Sequence, residues 1–206
     1  MKVEKFALGS LGTNCYLLIN EESRELVIVD PAACPDYVVG HIRRGGYTPK
    51  AILLTHGHFD HVMGIDKFVK EFHVPVYLHE EEKGILGDPE RNLSAMFGES
   101  YAYKDVKCLV DGQVLNVAGL ALKVIHTPGH TAGGCCYYEE NENVLISGDT
   151  LFYQSVGRSD FPTGSMAVLV NSIKEKLFCL SDETTVYPGH GEQTSIGDEK
   201  IYNPFV

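Results

Sequence analysis

Short apolar runs, separated by polar or glycine-containing segments, dominate the hydrophobic pattern of this chain. Such runs, when rich in β-branched and aromatic side chains, are typical of buried strands. We predict strands at 14–19, 25–29, 51–54, 74–78, 114–117, 120–125, 135–138, 144–146 and 184–187. The polar residues at 20–24 separate the first two runs, so this pair is predicted to form a hairpin.

Three segments have the apolar spacing of helices that bury one face. They are 36–44, which two glycines follow, 62–72, and a long helix from 166 to 177 with Ser165 as its N-cap. We also expect a helical stretch from Glu80 to a break at 87–89 and an irregular or helical piece at 92–97. Because strands and helices mix without a linker or a short repeat, the sequence predicts one α+β domain over residues 1–206.

The composition is that of an ordinary globular domain, and the charge narrows the range of partners. Of the 206 residues, 44% are hydrophobic and 22% are charged, and the formal net charge is −11. Nucleic acids and anionic membranes bind through clustered cations, so we expect neither as a partner. The chain has no run of 18 apolar residues and no apolar segment of a signal peptide at its start, so we predict a cytoplasmic protein.

The six cysteines form no Cys-x-x-Cys pair. In a cytoplasmic protein, free buried thiols are the better interpretation than disulfides or metal ligands. Cys135 and Cys136 are adjacent in a predicted strand, so their side chains should point to opposite faces of the sheet.

Each of four predicted strands is followed within a few residues by one that can bind a metal. The four residues are His56, His130, Asp149 and His190, and a glycine precedes each of the last three. Loops at the ends of strands are where functional residues often gather on a rigid scaffold, and glycine lets the backbone turn sharply there. We therefore expect these side chains to converge at one edge of a sheet.

The first of these loops carries four candidate ligands close together. In an extended segment, His56 and His58 share a face, whereas Asp60 and His61 point elsewhere as the chain enters a helix. One cluster can therefore serve two metals. A carboxylate has two oxygens, so Asp149 could bridge them.

The motifs THGHFDH at 55–61, TPGHT at 127–131, GD at 148–149 and YPGH at 187–190 resemble those of the metallo-β-lactamase superfamily, in its glyoxalase II-like branch. The resemblance implies a four-layer αββα sandwich with a binuclear centre. It also implies that Asp30 supports the site by accepting a hydrogen bond from a ligating histidine. The implied ligands are His56, His58 and His130 for metal one, Asp60, His61 and His190 for metal two, and Asp149 for both.

The resemblance also implies an activity, the hydrolysis of thioesters. In that reaction Asp60 would be both a metal ligand and the residue that orients the attacking hydroxide. Nitrogen and oxygen ligands suit two zinc ions, with iron or manganese as alternatives. The segment 155–164 contains Arg158, which could hold a substrate carboxylate or instead pair with Asp160. The sequence ends shortly after His190, so we expect no C-terminal helical domain that binds glutathione.

Two other functions remain open. The segment 155–164 is also similar to that of persulfide dioxygenases, which would use one iron on His56, His130 and Asp149. A non-catalytic, metal-bound regulatory module is the other alternative. The substrate is expected to be a small thioester or ester, and the sequence leaves the oligomeric state open.

The other histidines are expected to be structural, with His79 as the candidate exception because it follows a strand. Four residues are weaker candidates for lining a substrate pocket: Asn92, Tyr153, Phe161 and Tyr187.

Overall fold

Two six-stranded sheets form the centre of the computed structural model, which describes residues 1–206. The first sheet has its strands in chain order: β1 (Lys2–Leu8), β2 (Thr13–Ile19), β3 (Glu25–Val29), β4 (Thr48–Leu53), β5 (Val76–His79) and β6 (Val106–Leu109). The strands β1, β2 and β3 pair antiparallel, and β3 to β6 pair parallel. Parallel neighbours need crossover connections, which here carry the helices and the candidate functional loop.

The second sheet comes from the other half of the chain. Its strands are β7 (Val114–Val117), β8 (Leu120–His126), β9 (Cys135–Glu139), β10 (Val144–Gly148), β13 (Thr185–Pro188) and β14 (Thr194–Ser195). Their order is β14-β13-β10-β9-β8-β7, and only the β10–β13 pair is parallel. A small ribbon of β11 (Leu151–Phe152) and β12 (Ser155–Val156) follows β10.

The helices are short. They are α1 (Asp36–Arg44), α2 (Phe59–Val62), α3 (Ile65–Phe72), α4 (Lys83–Leu86), α5 (Met166–Ser172) and α6 (Ile196–Tyr202), with 3₁₀ turns at Glu80–Glu82 and Ser94–Phe97 and a π-helical turn at Ile173–Leu177. None of them combines the length and the apolar composition required to cross a bilayer.

Alternating side chains divide the core into three layers of contacts. In β2, Leu18 belongs to a cluster between the two sheets, whereas its neighbour Leu17 belongs to the cluster under α1 and α3. In β9, Cys135 lies between the sheets, and Cys136 packs with residues of α5 and α6 on the other side. This alternation buries both faces of each sheet. The predicted four-layer αββα sandwich and the opposite orientation of the two cysteines are therefore confirmed.

Two predicted helices are interrupted. The range 62–72, predicted as one helix, contains only the last residue of α2 and then the whole of α3, with Gly64 between them. The amide of Gly64 donates to the Pro31 carbonyl at 2.7 Å, and a Cβ there would lie 2.6 Å from Ala33. This tight contact with a distant loop breaks the helix at Gly64. A local apolar pattern cannot predict such a break.

The helix predicted at 166–177 begins where expected, but it passes from α5 into the π-helical turn. Ser165 has the extended backbone of an N-cap, although its side chain makes no capping hydrogen bond. The pattern also failed to indicate β1, β6 and α6, in which apolar residues alternate weakly or lie exposed.

All six cysteines are free thiols, as expected. The expectation that they are buried was wrong for two of them, since Cys108 and Cys179 are exposed.

Candidate metal centre

The seven candidate ligands lie together at one edge of the sandwich, where loops from both sheets meet. His56 and His58 follow β4, and Asp60 and His61 lie on α2. The second sheet supplies His130 after β8, Asp149 after β10 and His190 after β13. The ligand atoms form two groups: His56 with His58 and His130, and Asp60 with His61 and His190. A further combination, His56 with His61 and Asp149, overlaps both.

The first group consists of three buried imidazoles whose nitrogens face one another. His130 Nε2 is 2.9 Å from His58 Nδ1 and 3.2 Å from His56 Nε2. Nitrogens bound tetrahedrally to zinc at 2.0–2.1 Å are about 3.3 Å apart, so this spacing is close to that of a three-histidine site. Burial lowers the pKa of all three rings, that of His58 to about 3, so the rings are neutral and offer lone pairs.

The second group contains one carboxylate and two imidazoles. Asp60 Oδ2 is 3.2 Å from His190 Nε2 and 3.6 Å from His61 Nε2. Burial alone would raise the pKa of Asp60, but the neighbouring His61 and His190 outweigh it and lower that pKa to about 2. Asp60 is therefore an anion at neutral pH, as a metal ligand must be.

Asp149 lies between the two groups. Its Oδ1 is 3.4 Å from His61 Nε2, and its Oδ2 is 3.6 Å from His130 Nε2 and 3.7 Å from His190 Nε2. Although Asp149 is buried, the surrounding histidines hold its pKa well below the ordinary value. The reverse holds for His61: burial opposes its charge, but Asp149, Asp60 and Asp30 raise its pKa well above 6.5.

The donor set fits divalent cations. His61 Nε2 and Asp149 Oδ1 are buried and have no hydrogen-bond partner. Buried polar atoms are nearly always paired in proteins, so such orphaned atoms call for an explanation. A cation at this position would bind both, and the imidazole and carboxylate donors suit zinc, iron or manganese.

A carboxylate beneath the cluster orients two of the rings. Asp30 Oδ2 accepts hydrogen bonds from His61 Nδ1 at 2.9 Å and from the Thr55 hydroxyl at 2.6 Å. The same hydroxyl is 3.2 Å from His56 Nδ1 and can accept from it. Each contact occupies the outer nitrogen of a ring and leaves Nε2 directed into the cluster. Asp30 therefore lies in hydrogen-bond contact with a candidate ligand, His61.

Two further contacts at the site were not predicted from the sequence. The Thr13 hydroxyl donates to Asp60 Oδ2 at 3.0 Å, and His130 Nδ1 donates to the Arg158 carbonyl at 2.6 Å. Both partners are distant in sequence, and one is a backbone atom, so no motif indicates them.

A cavity of about 310 Å³ opens over the cluster. Its polar wall consists of cluster residues and Arg158. Its apolar wall comprises Leu11, Phe59, Leu93, Phe97, Phe152 and Phe161. The rings of Phe59 and Phe97 stack with centroids 4.3 Å apart.

Of the four weaker pocket candidates, only Phe161 lines this cavity. Asn92 is buried and donates to the carbonyls of Leu86 and Tyr101, so its role is to hold a loop. Tyr187 packs against the ring of Tyr16, with centroids 5.6 Å apart. Tyr153 lies in a neighbouring shallow depression beside His190.

Arg158 lies at the rim of the cavity with its side chain 65% exposed. Its Nε and Nη2 donate to the two oxygens of Asp160 at 3.0 and 2.8 Å, and the guanidinium lies 4.2 Å from the Phe161 ring centroid. The ion pair anticipated as one alternative is therefore present, at the rim of the cavity.

The remaining histidines lie outside the cluster. His41 pairs with Glu4 at 2.6 Å, and His73 ends α3 with a left-handed backbone. His79, the candidate exception, stacks on His126 with ring centroids 4.1 Å apart.

The four layers and the histidine–aspartate cluster at their edge define the class: an αββα protein with a candidate metal centre. The profile of the metallo-beta-lactamase superfamily matches residues 8–190, and the chain belongs to this superfamily.

Two curated relatives match along nearly their whole length. The chain is 38% identical to the probable metallo-hydrolase YqgX of Bacillus subtilis, covering 100% of this chain and 98% of the relative. It is 31% identical to the hydroxyacylglutathione hydrolase GloC of Haemophilus influenzae, again covering 100% and 98%.

Solved structures agree with this assignment. The B3 metallo-beta-lactamase BLEG-1 superposes with a TM-score of 0.93 at 39% identity, covering 99% of each chain. TTHA1623 in a di-iron-bound form gives 0.88 at 35% identity, covering 98% of this chain and 100% of the other. ETHE1 from Myxococcus xanthus gives 0.82 at 27% identity, covering 99% and 84%.

Proposed function

We propose that the protein is a binuclear metal-dependent hydrolase that cleaves thioesters. The observation that carries the proposal is the placement of Asp149 between two groups of three ligands, with one oxygen toward His61 and the other toward His130 and His190. In this assignment His56, His58 and His130 would hold one metal and Asp60, His61 and His190 the other. Asp149 would serve as a ligand to both.

Two bound cations would supply Lewis acidity and would lower the pKa of a water from 15.7 toward about 7, the value known for a single zinc in a hydrolase. Side chains of the protein would orient the attacking water. Thr13 donates to Asp60 Oδ2 and so fixes one face of the carboxylate, which leaves the other oxygen free to orient the attacking water. The apolar wall around Phe59 and Phe97 can hold the acyl group and exclude bulk water.

The lining of the cavity favours a thioester over an amide. Apart from the exposed Arg158, every ionisable group that lines it is a candidate metal ligand, so no separate general acid stands beside the site. A thiolate, with a pKa near 8.5, leaves without a proton donor, whereas an amine does not. The relative GloC, named a hydroxyacylglutathione hydrolase, supports the same substrate class.

A mononuclear iron dioxygenase acting on persulfides is the second candidate. His56, His130 and Asp149 approach one another, with 3.2 Å between the two histidines and 3.6 Å from His130 to Asp149. Two histidines and one carboxylate on one face are typical of non-haem iron oxygenases. The likeness to a di-iron-bound protein leaves iron beside zinc as the proposed metal.

Elemental analysis of protein purified without added metal, combined with a panel of thioesters, tests the proposal. We expect two metals per chain, thioester cleavage, and loss of both in Asp149→Ala because no other carboxylate lies between the groups. Two bound metals with no turnover would indicate the regulatory module instead. One iron per chain with oxygen consumption on glutathione persulfide, insensitive to His190→Ala, would establish the dioxygenase.

A further inference from the structure

A second buried carboxylate lies close to the cluster without touching any candidate ligand. Glu82 ends the 3₁₀ turn after β5 and is fully buried. Its Oε1 accepts a hydrogen bond from the Gly57 amide at 2.9 Å. Its Oε2 accepts one from the Thr131 hydroxyl at 2.9 Å and one from the Gly133 amide at 2.8 Å.

These three donors belong to the two loops that carry the three-histidine group. Gly57 stands between His56 and His58 on the loop of the first sheet, and Thr131 follows His130 on the loop of the second. The loops are pressed against the segment that carries Glu82. A Cβ on Gly57 would lie 2.9 Å from the Leu86 amide, and one on Gly133 would collide with the Glu82 backbone.

We propose that Glu82 is a positioning residue of the metal centre: by joining these two loops, its carboxylate sets the separation between His130 and the pair His56 and His58. This inference rests on the proposed metal assignment. Glu82 acts through the backbone of the loops, in contrast to Asp30, which reaches His61 directly.

The chemistry of the side chain explains why a carboxylate stands here. An ionised carboxylate is purely an acceptor, so it satisfies three converging donors that would otherwise be buried without partners. A glutamine has nearly the same shape but presents one NH₂ group. That group must face either the Gly57 amide or the Thr131 and Gly133 donors, so at least one of the two loops is released.

The chain offers a matched control. Glu199 on α6 is also buried, and its carboxylate accepts three hydrogen bonds. The donors are the Thr194 hydroxyl at 2.6 Å, the Asn203 side-chain NH₂ group at 2.7 Å and the Gln154 backbone N–H at 3.0 Å. None of these partners lies on a loop that carries a candidate ligand of the first group. Glu82→Gln and Glu199→Gln therefore make the same chemical change in similar surroundings, one beside the three-histidine group and one away from that group.

The test is the Zn²⁺ affinity of the folded protein, measured by competition with a chromophoric chelator. We expect Glu82→Gln to weaken binding of at least one zinc ion by about 10- to 100-fold, the usual cost of losing a group that orients ligands. Glu199→Gln should lower the melting temperature but leave the affinity of the three-histidine site unchanged. A purely structural role for Glu82 would instead make the two variants alike.

A second pair of variants covers the case in which Glu82→Gln does not fold. Thr131→Val keeps the volume and removes one donor to Glu82, whereas Thr131→Ser keeps the hydroxyl. We expect weaker zinc binding in the first and near-normal binding in the second. Unchanged affinity in both Glu82→Gln and Thr131→Val would overturn the inference while leaving the metal centre intact. Failure of the unmodified protein to bind zinc would overturn the metal centre itself.

Discussion

In the metal-free protein, burial makes ionisation of the Glu82 carboxyl unfavourable, and this reduces the free energy of unfolding near neutral pH. Burial outweighs its three hydrogen bonds and raises the pKa of its carboxyl from 4.5 to about 7. A carboxyl with a raised pKa contributes its full stability below the unfolded pKa, and this contribution is lost as the pH rises through the folded pKa. The relevant window is therefore pH 4.5 to about 7.

The pH dependence of Glu82 can be isolated with Glu82→Gln, which cannot titrate. We expect the free energy of unfolding of the metal-free protein, relative to this variant, to fall by up to about 3 kcal/mol across that window. Denaturant unfolding at several pH values in the presence of a chelator measures the difference. A difference that stays constant with pH would contradict the raised pKa.

Arg158 and Asp160 form an ion pair in which both side chains are about two-thirds exposed, at 65% and 66%. Such pairs contribute little to stability, so Arg158→Ala should leave the melting temperature almost unchanged. If the guanidinium holds a substrate carboxylate, the variant should raise KM for acidic thioesters by about tenfold or more and leave that for neutral ones unchanged. Steady-state kinetics on the two substrate classes distinguishes these effects.

Asp160→Asn provides the complementary control for Arg158, because it frees the guanidinium from its partner. We expect a lower KM for acidic thioesters in this variant. Equal kinetic losses on acidic and neutral substrates in Arg158→Ala, together with a lower melting temperature, would assign Arg158 to holding the loop.

The 3₁₀ turn Ser94–Phe97 forms one side of the cavity, and Phe97 remains 56% exposed at its mouth. Since its ring stacks on Phe59, Phe97 is placed to contact an apolar acyl group. Phe97→Ala should raise KM for thioesters with bulky apolar acyl groups by about fivefold, the effect of losing roughly 1 kcal/mol of apolar contact. Acetyl thioesters should respond little.

Phe205→Ala is the control for Phe97, since Phe205 is similarly exposed but lies at the C-terminus, outside the cavity lining. A change that is the same for short and bulky acyl groups, or that appears in both variants, would argue against the apolar wall as the acyl site.

The elements that the sequence predicted best are those whose apolar face is continuous. The strands β2, β3, β9 and β10 are almost fully buried, so their composition indicates them directly. β1 pairs along the edge of its sheet, and its partly exposed residues give no such signal. The break at Gly64 depends on a loop more than 30 residues earlier in the chain, and a local pattern cannot contain it.

The start of α6 carries a sequence signal of its own, apart from the apolar pattern. Ser195 accepts a hydrogen bond from the Asp198 amide at 3.0 Å, and its hydroxyl donates to the Asp198 side chain. Serine followed three residues later by an acid is an established mark of a helix N-terminus. By contrast, Thr13 and Glu82 contact the site only through the fold. The sequence therefore indicated the seven clustered residues and the neighbouring Asp30, but neither Thr13 nor Glu82.

Both halves of the chain contribute to the cluster: four of its candidate ligands come from the loop after β4 and from α2, and three come from loops of the second sheet. Neither sheet alone presents a complete set. Because the unfolded chain lacks the assembled site, metal would bind only the folded protein. When free metal exceeds its Kd a thousandfold, this binding would raise the free energy of unfolding by about 4 kcal/mol. Chelation should then lower the melting temperature by about 10 °C, and differential scanning fluorimetry with and without added zinc measures the shift.

Metal at this position would link the loops of the two sheets, and this link would be lost when the metal dissociates. A chain that lacks it would open more often between its halves and expose the apolar residues that lie between the sheets, among them Leu18 and Tyr137. Proteases cleave such opened states in proportion to their population. The lifetime of the protein in the cell would therefore follow the supply of metal, so that chains that cannot catalyse would also be the first to be degraded.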